Sequence, residues 1–330
     1  MKNLSIIGGG SWGTALALVL APRFRRIRLW VYEADLADRL RETRINDVYL
    51  PGFVLPNHIE VISSLADAVD GAEILLSVVP SHLVRNLYLR MLPHLGSSTL
   101  FVTATKGLET GTLLRMSQII REVIGGSARV TVISGPSFAR EAAKGEPTAV
   151  VAASDDPSAA AEVQAAFSGP SFRVYTSPDP IGVEIGGSIK NIVAIGAGVL
   201  HGLGLGHNAM AALITRGLAE MTRLAVAMGG KPLTLAGLAG LGDLVLTCTG
   251  ELSRNRAVGV ELAHGRCLDD ITGSMKMVAE GVNTTTAAVD LAKRHSVEMP
   301  IAEQMYQVLH NGTSPREAIQ RLMERSLKGE

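Results

Sequence analysis

The sequence predicts an α/β fold, in which an N-terminal doubly wound parallel sheet is followed by an all-α C-terminal domain. Three observations lead there. From Met1 to about Pro180 short β-rich runs alternate with helical ones, the strand runs are continuously apolar, and beyond Pro180 the β signal nearly stops. Alternating β and α with strands apolar on both faces is the pattern of a parallel sheet covered by helices on each side. With 330 residues, 47% of them hydrophobic, the chain has room for a large core and two ordinary domains, placed at 1–180 and 181–330.

The strand runs are residues 4–7, 27–32, 59–62, 74–79, 99–103, 129–133, 149–152 and 172–175, with helical patterns such as 36–44 and 113–124 between them. Directly after the first run stands Gly8-Gly9-Gly10-Ser11-Trp12-Gly13, and a good helix former, residues 14–20, follows. This is Gly-x-Gly-x-x-Gly on a strand-to-helix turn, the phosphate turn of a Rossmann-type sheet. Gly8 permits the tight turn, Gly10 lets backbone approach a pyrophosphate, and Gly13 lets the helix pack against the strand. Free N–H groups at the helix start then face the anion. Glycines also mark ordinary turns, so it is the strand before and the helix after that select the dinucleotide reading. The same segment imitates a secretory signal, with Lys2 before an uncharged stretch to Pro22. Three glycines and a Trp make a poor apolar core for one, so export is rejected.

The second strand run leads to Glu33, 20 positions after Gly13. An acid there accepts hydrogen bonds from the adenosine ribose and repels a 2′-phosphate, which favours NAD over NADP. The alternative is a solvated acid at a helix start. Arg23, Arg25, Arg26 and Arg28 precede that strand, at the edge away from its carboxyl end, and read as a solvated or salt-bridged face.

In the second half the helical patterns are residues 183–200, 209–228, 254–263, 281–295, 302–309 and 315–328, with Ser253 and Ser314 as start signals. The apolar stretch 181–206 is interrupted by Glu184, Lys190 and His201, so a buried helix explains it better than a membrane span. Thirty-one basic residues balance 31 acidic ones, which argues against nucleic acid as a partner. Cys248 and Cys267 have neither metal nor redox spacing, pointing to a reducing, cytoplasmic compartment. His201 and His207 flank a glycine-rich stretch that reads as a loop rather than a metal site. A helical second half is also compatible with a homodimer.

Four clusters carry chemistry. Lys106 follows the fifth strand run, Ser134-Gly135-Pro136-Ser137-Phe138-Ala139 the sixth, Lys190-Asn191 lies in the apolar helix, and Gly242-Asp243 and Ser253-Arg254-Asn255 lie further on. A lysine among Ile189, Ile192, Val193 and Ile195 is desolvated, which lowers its pKa and suits it to proton transfer near neutral pH. It could equally snorkel to water or pair with a carboxylate. Ser253-Arg254-Asn255 at a helix start offers N–H groups and a guanidinium to a phosphate, or is an ordinary cap.

Together with Leu50-Pro51-Gly52, Thr105-Lys106-Gly107-Leu108, Gly240-Leu241-Gly242-Asp243-Leu244 and Glu280-Gly281, these motifs resemble the NAD(P)-dependent glycerol-3-phosphate dehydrogenases, in order across almost the whole chain. The resemblance implies reversible reduction of dihydroxyacetone phosphate to sn-glycerol 3-phosphate, feeding glycerophospholipid synthesis. It implies Lys190 as the proton acceptor in oxidation and Lys106 near substrate and nicotinamide. Gly135, Ser137, Asp243, Ser253, Arg254 and Asn255 would line the substrate, with Asn191 and Thr247 in support. Ser11, Trp12, Ala139, Arg254, Val278 and Glu280 would touch the cofactor, and no metal is implied. Bacterial members commonly carry an Arg near the second strand's end; Trp30-Val31-Tyr32-Glu33 looks instead like the NAD-using eukaryotic branch. The residues alone leave open which lysine moves the proton. Two rivals remain open: a β-hydroxyacid dehydrogenase, whose Arg254 would bind a carboxylate, and a non-catalytic nucleotide sensor, which would need none of the lysines.

Overall fold

In the computed structural model, which describes residues 2–275, 277–327 and 329, the chain divides into two compact units. One comprises Met1–Lys106 and Arg115–Val183; the other comprises Gly107–Leu114 and Glu184–Glu330. No composition shift in the sequence marks the excursion Gly107–Leu114.

The first unit is an eight-stranded sheet: β1 Asn3–Ile7, β2 Arg26–Trp30, β3 Ile59–Ile62, β4 Ile74–Ser77, β5 Leu100–Thr103, β6 Val130–Ser134, β7 Thr148–Ala153 and β8 Phe172–Ser177. Each matches a strand run read from the sequence to within a few residues. Spatial order is β3-β2-β1-β4-β5-β6-β7-β8, with the switch of direction beside β1 that characterises a doubly wound sheet. The doubly wound parallel sheet expected from the sequence is present, with a reversal at its far edge. β7 pairs antiparallel with β6, and β8 runs parallel to β7, so the last two strands oppose the other six. Apolar runs report burial on both faces but not chain direction, so the reversal left no mark in the pattern.

Helices α1 Ser11–Leu20, α2 Ala34–Thr43, α3 Leu65–Val69, α4 Val84–Met91, α5 Met116–Ile124, α6 Ala139–Ala143 and α7 Pro157–Phe167 cover this sheet. The expected start at residue 113 gives way because Leu113 has a left-handed backbone, φ 63°, and α5 begins at Met116. The core joins Ile6, Leu29, Ile74 and Val102 of the central strands to Leu16 and Leu20 of α1. At the amino edge Arg26 forms a double hydrogen bond to Glu60 at 2.6 and 2.7 Å, so the basic cluster is salt-bridged there.

The second unit continues from α8 Pro180–Gly202 into α9 His207–Ala227, α10 Pro232–Ala236, α11 Asp243–Thr249, α12 Arg254–Ala263, α13 Leu268–Ser274, α14 Glu280–Arg294, α15 Pro300–His310 and α16 Pro315–Met323. Residue 328, the expected end of the last helix, lies outside the described residues. α8 is long and apolar enough to cross a membrane, but its most apolar stretch is wholly buried in the fold. Ser253 and Ser314 act as caps, their hydroxyls accepting from the N–H groups of Arg256 and Glu317, each at 3.2 Å.

Candidate active site

Steric necessity builds the phosphate turn. Gly8 has φ 126°, and a Cβ there would lie 2.4 Å from the Val78 carbonyl oxygen; a Cβ on Gly13 would lie 1.9 Å from that of Gly8. Gly10 is different, because a Cβ there would meet nothing within 4 Å. It is the N-cap of α1, and no side chain caps that helix. The first N–H groups of α1 therefore have no capping side chain, which fits a dinucleotide pyrophosphate. Ser11 opens α1, and the Trp12 ring stands 6.4 Å from Phe172.

Two residues absent from the sequence reading act as braces, Asn46 on this turn and Tyr49 on Glu33. Asn46, fully buried, donates from Nδ2 to the Gly9 carbonyl and to the Thr14 hydroxyl, both at 2.8 Å. Glu33 occupies the N-cap position of α2, but its carboxylate does not cap the helix. Its Oε1 instead accepts from the Tyr49 hydroxyl at 2.8 Å. The available signal was Leu50-Pro51-Gly52, which marks an ordered loop directly after both bracing residues.

At the carboxyl end of β5 the ammonium of Lys106 donates to the Gly135 carbonyl at 3.2 Å, and the Ser137 hydroxyl donates to the same oxygen at 2.9 Å. Gly135 has φ 146°, and a Cβ there would press on the Val150 backbone at 3.0 Å. Ala139 opens α6, which packs against α1.

In the helical unit, α8 and α12 meet backbone to backbone. A Cβ on Gly198 would lie 1.9 Å from the Arg256 carbonyl oxygen, and one on Gly259 would lie 1.9 Å from that of Ile195. This close approach fixes the residues that flank it. Lys190, on α8, donates to Asp243 Oδ1 at 2.5 Å and to Thr247 Oγ1 at 2.6 Å. Of the readings open for this lysine, pairing with a carboxylate is realised. Asp243 is delivered by a π-helical turn, Leu238–Gly242, that leads into α11; a Cβ on Gly240 would strike the Leu235 carbonyl oxygen at 2.0 Å. Thr247 stands one turn later and donates back to the Asp243 carbonyl at 2.6 Å.

Asn191 Oδ1 accepts from Asn255 Nδ2 at 2.9 Å, and Asn255 Oδ1 accepts from the Gly281 N–H at 2.9 Å. The starts of α12 and α14 are thereby tied to α8. Arg254, adjoining the Ser253 cap, is open to solvent and donates from Nη1 to the Val278 carbonyl at 2.9 Å. Surrounding protein lowers its pKa and Glu280, the first residue of α14, opposes that; a guanidinium remains a cation throughout. Burial pushes the thiol of Cys248 up to about 12, against the pull of Lys190, so it stays a protonated spectator. Among the described residues no group of three His, Cys, Asp or Glu could hold a metal ion.

The structure thus gathers Lys106, Gly135 and Ser137 around one carbonyl in the first unit. In the helical unit Lys190 is gathered with Asp243 and Thr247, and the neighbouring Asn191 with Asn255. A buried lysine paired to a carboxylate can hold or release a proton, and the capped start of α12 beside an arginine can still seat an anion at its remaining N–H groups.

Two family models match. The description "NAD-dependent glycerol-3-phosphate dehydrogenase N-terminus" covers residues 3–160, and its C-terminus counterpart covers residues 179–320. A glycerol-3-phosphate dehydrogenase [NAD(P)+] of Koribacter versatilis is 56% identical over 98% of each chain. The crystal structure of glycerol-3-phosphate dehydrogenase from Coxiella burnetii has a TM-score of 0.94 at 42% identity, covering 98% of this chain and 99% of that one. The structure of the Saccharomyces cerevisiae enzyme has a TM-score of 0.82 at 26% identity, over 98% and 99%. By identity the chain as a whole is nearer to the Koribacter and Coxiella enzymes than to the yeast one.

Proposed function

Because the chain belongs to the NAD-dependent glycerol-3-phosphate dehydrogenase family, we propose a division of labour among its residues for reversible hydride transfer between NAD(P)H and dihydroxyacetone phosphate. The chain is an oxidoreductase that uses NAD or NADP, and the product is glycerol 3-phosphate. We propose that it is the sn isomer, supplied to glycerophospholipid synthesis in the cytoplasm without stable membrane insertion. A homodimer is part of the same proposal, in keeping with the apolar side chains Val226, Leu233 and Val245 left exposed in the helical unit.

The bound nicotinamide supplies the hydride acceptor or donor. Gly8, Gly10, Ser11, Trp12 and Gly13 hold the pyrophosphate, and Glu33 takes the ribose hydroxyls, favouring NAD. Ala139, Val278 and Glu280 are the further cofactor contacts. Lys190 is the proton carrier. In reduction its ammonium gives a proton to the oxygen on substrate C2 as negative charge grows there; in oxidation the neutral amine takes it back. Asp243 and Thr247 hold Nζ in place, and the carboxylate compensates the buried ammonium until the proton leaves. Lys106, steadied by the Gly135 carbonyl, is the second lysine and adds electrostatic stabilisation. Arg254 and the start of α12, with Ser253 and Asn255, seat the substrate phosphate and orient C2 from a distance; Gly135 and Ser137 complete the substrate contacts.

The buried pair of Lys190 and Asp243 is the observation that carries this reading. Initial rates with NADH and NADPH on dihydroxyacetone phosphate, beside non-phosphorylated hydroxyacids, test it. We expect turnover of the phosphate ester with a preference for NADH. Arg254→Ala should lower kcat/KM about tenfold or more, the scale of a lost charge-assisted contact. Turnover of hydroxyacids alone would assign Arg254 to a carboxylate and overturn the reading.

A further inference from the structure

The loop after α2 carries two contacts that serve different parts of the cofactor seat. Asn46 holds the phosphate turn through the Gly9 carbonyl and the Thr14 hydroxyl. Three residues on, Tyr49 holds the Glu33 carboxylate. The two are locked to one another, because Asn46 Oδ1 accepts from the Tyr49 N–H at 3.0 Å. The loop is itself pinned: Arg44 donates to the carbonyls of Pro56 at 2.5 Å and Ile59 at 2.8 Å, and the Leu55 N–H donates to the Arg44 carbonyl at 2.8 Å. Residues 46–49 therefore form a short strap that places Glu33 in the same frame as the phosphate turn.

We propose that Tyr49 is the positioning residue for cofactor choice, fixing the Glu33 carboxylate so that a free ribose 2′-hydroxyl is accepted and a 2′-phosphate refused. The proposal rests on the reading of Glu33 as the ribose ligand. An unrestrained glutamate can swing away from a phosphate, and it loses rotamer freedom whenever it must be ordered. A glutamate already held by a neutral phenol has lost that freedom before the cofactor arrives and cannot retreat. Burial and the adjacent carboxylate push the Tyr49 hydroxyl up to about 12, so it is a donor at every pH the enzyme meets. Oε1 is engaged by Tyr49, which leaves Oε2 for the ribose.

Calorimetric titration of NADH and NADPH into the full chain tests this without reference to turnover, using Tyr49→Phe, Glu33→Gln and the double variant. Tyr49→Phe keeps the ring and removes only the donor. We expect it to weaken NADH binding about three- to tenfold, the scale of one hydrogen bond to a charged group. NADPH binding should be unchanged or tighter, and Glu33→Gln should shift the ratio in the same direction. Adding Tyr49→Phe to Glu33→Gln should change nothing further, because Tyr49 acts through Glu33. Equal weakening of both cofactors by Tyr49→Phe, no effect on either, or an additive double variant would overturn the proposal. A shifted ratio in Glu33→Gln with none in Tyr49→Phe removes the strap alone. An unshifted ratio in Glu33→Gln removes the ribose reading, and the strap with it.

Discussion

Lys190 and Asp243 meet at 2.5 Å with their side chains only 7% and 1% exposed. A buried pair of this kind contributes little net stability, but removing one partner strands the other, at a cost of about 3–5 kcal/mol. Lys190→Ala should therefore lose both thermal stability and turnover, by roughly 100-fold or more if the lysine moves the proton. Lys190→Arg separates the two effects. It keeps a cation against Asp243 but cannot release a proton, so folding and NADH binding should persist while kcat collapses. Near-normal kcat in the arginine variant would take the proton away from Lys190.

The phosphate turn makes a second contrast, between two glycines three residues apart. Gly13→Ala places a methyl group on the Gly8 carbonyl, 1.9 Å away, so the thermal midpoint and NADH binding should fall together. Gly10→Ala meets no protein atom within 4 Å and has an extended backbone that alanine adopts, φ −71° and ψ −175°. Its midpoint should hold while NADH binding weakens about tenfold, as expected when a methyl group displaces an anion from its N–H donors. Unaltered NADH affinity in Gly10→Ala would move the pyrophosphate elsewhere.

Glu220 gives a third expectation, in pH. It is buried on α9, and its oxygens accept from the N–H groups of Ile301 at 2.7 Å and Ala302 at 3.3 Å, at the start of α15. Burial pushes its pKa up to about 7, against those two bonds and Arg223, with Glu303 adding to the rise. The folded chain thus holds this proton more tightly than the unfolded one, where a glutamate titrates near 4.3. Protonated Glu220 contributes fully at pH 4, and the contribution is lost as pH rises through about 7. In urea unfolding, the stability of the parent relative to Glu220→Gln should drop by on the order of 2–3 kcal/mol between pH 4 and 8. A difference that stays flat or grows with pH contradicts the assignment.

Periodicity and turn chemistry made the eight strands and the long helices legible, because each buries a stripe or a face that the residue pattern must record. Short pieces were not. α10, α11 and the π-helical turn between them are too brief and glycine-rich for a period, yet they deliver Asp243 to Lys190. Lys190 itself was visible as a charge inside an apolar helix, while its partner is 53 residues away, a distance no local pattern spans. Asn46 and Tyr49 escaped for another reason. Their value lies in side-chain bonds to Gly9 and Glu33, and a polar residue in a loop looks the same in sequence whether it braces a site or faces water.

The reversal of β7 has a consequence for how this enzyme can be remodelled. In a parallel crossover the chain must return to the far edge of the sheet, so only its first residues remain near the ligand. Here β6 ends and β7 begins on the same side, and residues 135–147, with Gly135, Ser137 and Ala139, leave and re-enter the sheet there. Such a segment is a handle with both feet on one rim. It can be lengthened, shortened or exchanged without rethreading a strand, which makes it the natural graft point for altering the contacts proposed for Gly135, Ser137 and Ala139.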